Sequence, residues 1–384
     1  MPLVVRWLAL LAAISLLALA CRPAAQQATP ATATSPAATS APPTAATAPT
    51  GPAAAVASSA RPTEAPLGPP VTVRVGMLSQ TSDAGLFIAK DKGYFREQGI
   101  EMESLPFQNA QEMVAPLGAG QLDVGSGATS AGLLNAVARE VPIRIVADKG
   151  STPPGFGFQG LVVRKELVDS GAFSGCASFK GYRIAVPGIG LSPEPAIDRA
   201  LHDCGLGIGD IQIVPLGFPE IPSAMRNGAI DAAIMNEPLI TSSAANGLVT
   251  VYKRTDEIYP NQQIAVLLYA PHLINQQRAV GERFMVAYVK GLRDHWDAFT
   301  RGIGKAEIID ILSRNTPVKD KALLEQIVPV GLNPDGYVNM STFSDDVEWW
   351  IDHGYVKGRV DPAQVVDNSF VDYAIERLGR YTPQ

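Results

Sequence analysis

From residue 71 onward the chain alternates two kinds of hydrophobic pattern. Short runs rich in Val, Ile and Ala predict β-strands, and the segments between them carry apolar residues at the spacing of an amphipathic helix. The predicted strands are 71–77, 100–105, 122–125, 143–147, 160–164, 183–186, 211–215, 232–234, 249–252 and 265–269. The predicted helices are 85–92, 110–118, 129–139, 195–204, 221–227 and 239–246, with mostly helical chain from 276 onward.

This order of elements predicts an α/β protein with two lobes. Strands that alternate with helices indicate parallel sheets buried on both faces. Two such series are separated by an extended crossing and followed by an extended return, so we expect two lobes joined by two strands. The first lobe would comprise residues 71–164 and 270–384, and the second residues 165–269. Because open α/β sheets bind ligands beyond the carboxyl ends of their strands, the expected binding site is a cleft between the lobes.

The first twenty residues have the pattern of a secretory signal. Arg6 precedes an apolar run over 7–20, which is too short to span a bilayer comfortably. The run ends in Leu-Ala-Leu-Ala directly before Cys21, the arrangement in which bacterial lipoproteins are acylated on the cysteine. We therefore expect residues 1–20 to be a signal peptide and Cys21 to be lipidated, holding an exported protein at the outer face of the cell membrane. An ordinary signal peptide cleaved near Ala20 is the alternative.

Residues 21–70 are the expected tether. After Cys21 they consist almost entirely of Ala, Pro, Thr, Ser and Gln, and they contain no aromatic residue. Such a segment buries too little apolar surface to offset the entropy lost on ordering, so it is predicted to be disordered. A coil of this length spans on the order of 40 Å. No later apolar run is long enough for a membrane span, so the lipid is the one expected membrane contact.

Charge and cysteine content narrow the classes of partner. The formal net charge of −6 and the lack of a basic stripe argue against nucleic acid as a partner. Three cysteines occur, of which Cys21 is assigned to the lipid. Cys176 lies just before a predicted strand and Cys204 at the end of the helix that follows. Because the chain reverses in a strand-then-helix unit, the two come close, and they form either a disulfide or two separate thiols.

Four motifs follow one another along the body of the chain. They are GLFIAKDKGYFREQGI at 85–100, LGAGQLDVG at 117–125, FKGYRIAV at 179–186 and MRNGAIDAAIMNEP at 225–238. In this order they resemble the NMT1/THI5-like substrate-binding proteins of ABC importers, and the resemblance covers residues 71–384. The family serves sulfonates, nitrate, pyrimidine vitamin precursors and riboflavin, and the riboflavin-binding branch is the first expectation here.

The resemblance implies a fold and a mode of action. Members of the family have the periplasmic-binding-protein type II fold, with two α/β lobes that close on one small molecule. They deliver it to a membrane permease that is driven by a separate ATPase. The expected partners are therefore one small-molecule ligand, the permease and its ATPase, and the resemblance implies neither a cofactor nor a metal.

Loops at the carboxyl ends of the strands are the expected ligand contacts. These loops are 78–84, 126–130, 151–159, 187–194 and 236–239. Three of them open into helix amino ends, whose unpaired N–H groups suit ligand oxygens. The alternative role of the serines in 126–130 and of Ser192 is helix capping alone. The candidate ligand-binding residues are Ser79, Gln80, Thr81, Asp83, Ser126, Thr129, Phe156, Phe158, Gln159, Gly188, Ser192, Asn236 and Glu237.

The composition of these loops favours an uncharged ligand. They contain Asp83, Glu194 and Glu237 but no Lys, Arg or His, whereas a dedicated anion site usually contains a guanidinium. Amides, hydroxyls and the rings of Phe156 and Phe158 fit a neutral heterocycle such as riboflavin. An aliphatic sulfonate or taurine is the second expectation, and a pyrimidine precursor of thiamine the third. Both Phe rings could instead belong to the core.

The same loops do not resemble an active site. The four histidines (His202, His272, His295 and His353) lie outside them and not at zinc-binding spacing with the cysteines. No Ser/His/Asp arrangement or phosphate-binding glycine loop stands out. We therefore expect a binding protein and not an enzyme. A tethered sensor that docks onto a signalling partner is the alternative from another class.

Overall fold

The computed structural model describes residues 69–383. The predicted signal peptide, Cys21 and nearly all of the predicted tether lie outside this range. The described strands are β1 (Val71–Met77), β2 (Ile100–Pro106), β3 (Val124–Ala128), β4 (Arg144–Ser151), β5 (Gln159–Arg164), β6 (Arg183–Val186), β7 (Gln212–Pro215), β8 (Ala232–Asn236), β9 (Val249–Arg254) and β10 (Gln263–Tyr269).

The helices alternate with these strands and then dominate the carboxyl-terminal part. They are α1 (Ala84–Asp91), α2 (Tyr94–Glu97), α3 (Val114–Gly118), α4 (Ala131–Ala138), α5 (Lys165–Asp169), α6 (Pro193–His202), α7 (Ile221–Arg226), α8 (Leu239–Ala245), α9 (Thr255–Ile258), α10 (Pro271–Asn275), α11 (Arg278–Arg301), α12 (Lys305–Asn315), α13 (Lys321–Leu324), α14 (Met340–Asp352), α15 (Pro362–Val365) and α16 (Ser369–Leu378).

The strands form two five-stranded sheets, one in each lobe. The first has the order β2-β1-β3-β10-β4 and the second the order β7-β6-β8-β5-β9. Both sheets are mixed, which corrects the expectation of parallel sheets: β10 runs antiparallel to β3 and β4, and β5 runs antiparallel to β8 and β9. The reason is topological. The chain enters β5 and β10 directly from the other lobe, so both strands begin at the edge where their neighbours end.

Two strands lie on the other side of the predicted lobe boundaries. The predicted boundaries assigned 159–164 to the first lobe and 263–269 to the second, but β5 pairs in the second sheet and β10 in the first. The crossings are therefore the shorter segments 152–158 and 259–262. They are hydrogen-bonded to each other: Thr152 N–H donates to the Gln262 carbonyl (3.2 Å), and Asn261 N–H donates to the Thr152 carbonyl (2.7 Å).

Each sheet is covered on both faces by apolar side chains. On β10, Leu267 belongs to one buried cluster of the first lobe, while Val266 and Leu268 belong to the other. On β8, Ile234 and Met235 divide in the same way between the two clusters of the second lobe. Successive strand residues point to opposite faces, so a run that is apolar throughout needs cover on both sides.

The carboxyl-terminal helices cover the first sheet. The longest described helix, α11, packs against α1, where a Cβ at Gly291 would overlap the carbonyl of Gly85. Glycine at this position therefore allows the two helix backbones to approach closely. The helix ends before Gly302, which takes the left-handed conformation (φ 75°). Among the described residues no helix has both the length and the apolar character that a membrane span requires.

A disulfide joins Cys176 and Cys204, with their Cα atoms 5.8 Å apart. Cys176 begins the short helical turn before β6, and Cys204 lies in the turn after α6. The bridge therefore closes one strand-and-helix unit of the second lobe. Cys176 precedes the amino end of β6, whereas the opposite, carboxyl end of this strand faces the first lobe.

Candidate functional site

A cavity lies between the two lobes, at the carboxyl ends of their parallel strands. In this arrangement about 30 Å³ of it admits the centre of a water-sized molecule, and one buried water needs roughly 10–15 Å³ by the same measure. A larger solute therefore enters only when the lobes separate. The lining residues come from both lobes: Leu78, Ser82, Ala110, Gly127, Ala128, Lys149, Gln159, Pro187, Leu191, Ser192, Pro193, Phe218, Asn236, Ile264 and Ala265.

An ion pair is built into the first-lobe wall. The Lys149 ammonium lies 2.9 Å from Asp83 Oδ1, and both side chains are fully buried. Lys149 Nζ also donates to the Ser126 carbonyl (3.3 Å), and the Ser126 hydroxyl donates to Asp83 Oδ1. The other carboxylate oxygen of Asp83 accepts the backbone N–H groups of Leu78 and Gln80, each at 3.2 Å. Asp83 therefore uses both oxygens inside its own lobe.

Lys149 corrects the expectation that the facing walls lack cationic side chains. It lies near the end of β4 and lines the interlobe cavity. Sequence reasoning missed it because the search was confined to the loops, and the nearest loop begins at residue 151. The predicted strand ends at residue 147, so Lys149 fell between the predicted strand and the loop; β4 extends to Ser151 and includes it.

Two amides form the polar part of the second-lobe wall. Gln159 Nε2 donates to Asn236 Oδ1 (2.9 Å), because β5 and β8 place these residues directly opposite each other. Both side chains line the cavity and are buried. The Gln159 side-chain carbonyl has no hydrogen-bond partner among the described residues. An unpaired buried acceptor at this position favours a ligand that donates a hydrogen bond.

Thr81 and Glu237 link the two lobes through a backbone carbonyl. The Thr81 hydroxyl and N–H both donate to the Glu237 carbonyl, at 3.0 Å and 3.4 Å. Within its own lobe the Glu237 carboxylate accepts from Arg254 Nη2 (2.8 Å) and from the N–H and hydroxyl of Thr241, and it also accepts the N–H of Val328 of the first lobe (3.4 Å). Neither residue is among those that line the cavity. Their contact belongs to the closed arrangement of the lobes.

Two hydroxyl groups that were predicted to contact the ligand, those of Thr129 and Ser192, donate instead to backbone carbonyls of β10. The Thr129 hydroxyl donates to the Gln263 carbonyl (3.1 Å), and the Ser192 hydroxyl donates to the Ile264 carbonyl (3.2 Å). Ser192 does line the cavity, but its side chain makes no capping bond to α6. Ser130 instead caps α4, because its hydroxyl accepts the Leu133 N–H (3.1 Å). The hydroxyl of Ser192 joins the second lobe to the first.

The two phenylalanines lie outside the interlobe cavity. Phe158 is fully buried in the first-lobe core, and Phe156 stacks on Trp296 of α11, with ring centroids 5.3 Å apart and planes 8° apart. A turn explains this, since the Phe156 N–H donates to the Pro153 carbonyl (2.9 Å) and folds the crossing segment onto the first lobe. Trp296 also borders a second cavity of about 410 Å³, which is lined by first-lobe and crossing residues.

The remaining predicted residues surround the cavity without lining it. Ser79 takes a left-handed backbone conformation (φ 55°) and is half-buried. Gln80 is buried, and its side-chain carbonyl has no partner among the described residues. Gly188 is buried against the side chain of Gln111 of the first lobe. A Cβ at Gly188 would lie 2.7 Å from Gln111 Oε1, so the Gln111 side chain would have to shift.

Two buried carboxyl groups lie where the lobes meet. Burial raises the pKa of Glu194, in the first turn of α6, to about 7, and a hydrogen bond from Tyr355 opposes the shift. Burial likewise raises the pKa of Asp346, on α14, to about 8. The Gln262 amide donates both to Asp346 Oδ2 (3.0 Å) and to the Ser192 carbonyl of the second lobe (2.8 Å). Burial therefore favours the protonated form of both carboxyls in this structure.

The described residues contain no group of His, Cys, Asp and Glu arranged to hold a metal ion. Of the four histidines, His295 is fully buried on α11, and burial lowers its pKa to about 3. His272 contacts Asp123 (2.7 Å) at the far end of the first sheet. Neither ring is among the residues lining the interlobe cavity.

The fold and the cavity together define a two-lobed substrate-binding protein of the periplasmic-binding-protein type II class. A family model described as NMT1/THI5 like matches residues 80–297, and the chain belongs to this family.

The known proteins that this chain resembles include binding proteins and an enzyme. A binding protein of Brucella abortus is 27% identical over 305 residues, covering 76% of this chain and 89% of the relative. The 4-amino-5-hydroxymethyl-2-methylpyrimidine phosphate synthase THI5 of Saccharomyces cerevisiae is 31% identical over 149 residues, covering 39% and 41%. The alkanesulfonate-binding protein SsuA of Xanthomonas axonopodis, bound to MOPS, has a TM-score of 0.63 at 18% identity, covering 78% and 99%. The structural likeness shows a shared fold.

Proposed function

We propose that this protein is the solute-binding component of an ABC importer. It would capture one small molecule between its lobes and deliver it to a membrane permease that a separate ATPase drives. Support comes from two lobes joined by two hydrogen-bonded crossings and from a cavity walled by both lobes. Opening and closing about such crossings is the motion that two-lobed binding proteins use.

The proposed ligand is a small, net-neutral molecule with several hydrogen-bonding groups, and riboflavin is the first candidate. One observation carries this choice: the cation in the cavity wall, Lys149, is neutralised by Asp83 at 2.9 Å. The opposite wall offers the amides of Gln159 and Asn236. Amides that are already desolvated favour a ligand with matching donors and acceptors. Phe156 and Phe158 pack elsewhere, so the two amides and Lys149 would make the polar contacts to such a ligand.

An aliphatic sulfonate such as taurine is the second candidate. The ammonium of Lys149 faces the cavity and could attract a sulfonate if its pairing with Asp83 were weakened. The structural likeness to an alkanesulfonate-binding protein supports keeping this candidate in the test. A pyrimidine precursor of thiamine, the third candidate, is neutral and belongs with riboflavin among the net-neutral ligands. Its inclusion is also favoured by the partial match to the yeast pyrimidine phosphate synthase.

The test is a binding panel on the purified full-length protein. Absorbance of the protein as isolated, quenching of flavin fluorescence and thermal shifts would be measured with riboflavin, a hydroxymethylpyrimidine, taurine and ethanesulfonate. We expect binding of a neutral member and no response to the sulfonates. A thermal shift with taurine or ethanesulfonate alone would replace the proposed ligand class by the second candidate.

We also propose that the protein is exported and anchored through a lipid on Cys21. The residues concerned lie outside the described range, and the support is the sequence pattern around Cys21. Replacing Cys21→Ser should move the protein from the membrane fraction to the soluble fraction of exported proteins. A sensor function would instead be indicated if neighbouring genes encoded no permease or ATPase.

A further inference from the structure

Each cationic side chain beside the interlobe cavity has an acidic partner. In the part of the chain that the structure describes, Lys149 pairs with Asp83 on the first-lobe side (2.9 Å). Arg254 pairs with Glu237 on the second-lobe side (2.8 Å). Glu194 lies close by without a cationic partner at hydrogen-bond distance, and it accepts the Gly190 N–H (3.0 Å). The surroundings of the cavity therefore carry no uncompensated positive charge.

We propose that Asp83 determines the charge selectivity of this cavity, because it neutralises the Lys149 ammonium that lines the wall. The inference rests on the proposed function, since it concerns the solute that the cavity accepts. With both charges in place the wall excludes anions and cations alike. Without the carboxylate, the ammonium would remain buried and unpaired, and a small anion in the cavity would become its best available partner.

The geometry fixes Asp83 so firmly that an anionic ligand cannot simply displace it. Its Oδ2 accepts two backbone N–H groups, from Leu78 and Gln80, and its Oδ1 accepts the Ser126 hydroxyl together with Lys149. All four donors belong to the first lobe, so opening of the cleft leaves them in place. The carboxylate therefore stays beside Lys149 in both the open and the closed arrangement.

Lys149 still has the capacity to contact a ligand. An ammonium has three N–H donors, and the protein uses two of them, toward Asp83 (2.9 Å) and the Ser126 carbonyl (3.3 Å). The residue lines the cavity. A neutral acceptor on the ligand could take the third donor, whereas an anion would also meet the nearby charge of Asp83. The Lys149–Asp83 pair would therefore both contact a neutral ligand and exclude an anionic one.

Two variants, each of which removes one member of the ion pair, test the proposal with two ethyl probes of opposite charge. Asp83→Asn should gain binding of ethanesulfonate, and Lys149→Gln should gain binding of ethylammonium, each by roughly tenfold or more, the scale of one hydrogen bond to a charged group. The double variant should gain neither ion. Binding would be measured by isothermal titration calorimetry on the full-length protein at fixed ionic strength.

Matched controls separate the local effect from the change in net charge. Asp91→Asn breaks the surface pair with Arg314 (2.8 Å), and Lys165→Gln breaks the surface pair with Asp169 (2.6 Å). Asp91→Asn changes the net charge as Asp83→Asn does, and Lys165→Gln changes it as Lys149→Gln does. Neither control residue lines the cavity. We expect no change in ion binding from either control. A merely structural role of Asp83 would not produce gains that depend on the sign of the probe.

Each outcome decides the inference. If Asp83→Asn binds ethanesulfonate no better than its control, or Lys149→Gln binds ethylammonium no better than its own, the inference is wrong. If one single variant does not fold, the other carries the test alone. Binding of ethanesulfonate by the unmodified protein as tightly as by Asp83→Asn also overturns the inference. If the unmodified protein binds neither riboflavin nor the hydroxymethylpyrimidine, the proposed ligand class is wrong. The inference about Asp83 is then judged from ethanesulfonate and ethylammonium binding alone.

Discussion

The side chains of Gln159 and Asn236 are bound to each other in the second-lobe wall (2.9 Å). Each amide has both a donor and an acceptor, and their mutual bond uses one group of each. The remaining groups lie in a cavity where water has little room. A buried polar group without a hydrogen-bond partner costs about 1–3 kcal/mol. A ligand that supplies the missing partners removes this cost and therefore binds more tightly.

Replacing Asn236→Ala should therefore weaken binding of the solute identified by the panel about tenfold, by removing a ligand contact and leaving Gln159 without its partner. Phe156→Ala is the matched control, since that ring stacks on Trp296 and does not line the interlobe cavity. Titration calorimetry on both variants measures the difference. Equal loss of affinity in the two variants would show that the amide wall does not bind the solute.

Some of the cavity-lining side chains could be predicted from the sequence and others could not. The difference is whether the hydrophobic pattern reports the position of the residue. Gln159 and Asn236 line the cavity from the ends of β5 and β8, and Ser192 lines it from the loop between β6 and α6. Such positions can be recognised from the hydrophobic pattern. Lys149 lies within a strand, where the pattern alone does not distinguish a residue aimed at a cleft. Phe156 lies within a crossing segment whose direction is set by a turn, and hydrophobic periodicity does not predict which lobe a turn faces.

Helices α6 and α14 meet across the two lobes through polar contacts. Trp349 Nε1 donates to Asp198 Oδ2 (2.9 Å), and Arg199 approaches Asp345 at 3.6 Å. Between them, Asp346 accepts a hydrogen bond from Gln262 at 3.0 Å. These contacts couple one helix of each lobe to a crossing segment. The interface therefore depends on the protonation state of its buried acid.

The pKa of Asp346, raised by burial to about 8, predicts a pH dependence of folding. The unfolded chain ionises this group near pH 4, so over the range from about 4 to 8 the folded state binds the additional proton. The free energy of unfolding should then fall as the pH rises through this range. The groups that face the carboxyl are Tyr259, Arg199 and Asp345, and burial outweighs the opposing effect of Arg199.

Asp346→Asn should flatten this dependence, because an amide does not titrate. Urea unfolding at pH 5, 6, 7 and 8 gives the comparison, and the difference in slope is at most about 1.4 kcal/mol per pH unit. Glu194 keeps part of the slope in the variant, since its pKa is raised in the same direction. Parallel curves for the variant and the unmodified protein would mean that Asp346 is ionised in the folded state.

The disulfide acts on one element pair, the turn before β6 and the end of α6. Its cysteines are separated by 28 residues, and a closed loop of that size stabilises the fold by about 3.5 kcal/mol through the unfolded chain. Replacing both cysteines by serine should lower the free energy of unfolding by about this amount. Ligand affinity should stay unchanged, because the bridge lies away from the cavity. Loss of affinity equal to the loss of stability would contradict that separation.

At the level of elements, the sequence predicted most strands within a few residues but not the direction of two of them. The alternation of strands and helices is typical of parallel sheets, and six of the strands do pair in parallel: β1 with β2 and β3, and β6 with β7 and β8. The direction of β5 and β10 depends on where the chain changes lobe. That is a long-range property, and no local pattern carries it.

For the whole molecule, the balance between open and closed arrangements determines both capture and release of the solute. The crossings stay paired to each other through Thr152, whose hydroxyl accepts the Gln262 N–H (3.0 Å) and donates to the Tyr259 carbonyl (2.9 Å). The contact of Thr81 with the Glu237 carbonyl, in contrast, joins residues of different lobes. Opening the cleft breaks the second contact and leaves the first intact.

Thr81→Val should therefore destabilise the closed arrangement selectively. The loss of one hydrogen bond, roughly 0.5–1.5 kcal/mol, should speed solute release about two- to tenfold while leaving the association rate nearly unchanged. Thr129→Val is the matched control, because its hydroxyl bonds to β10 within the first lobe. Stopped-flow displacement of the bound solute measures both rates. If Thr129→Val accelerates release as much as Thr81→Val does, the effect reflects general loss of stability, and the contact between Thr81 and Glu237 has no part in closure.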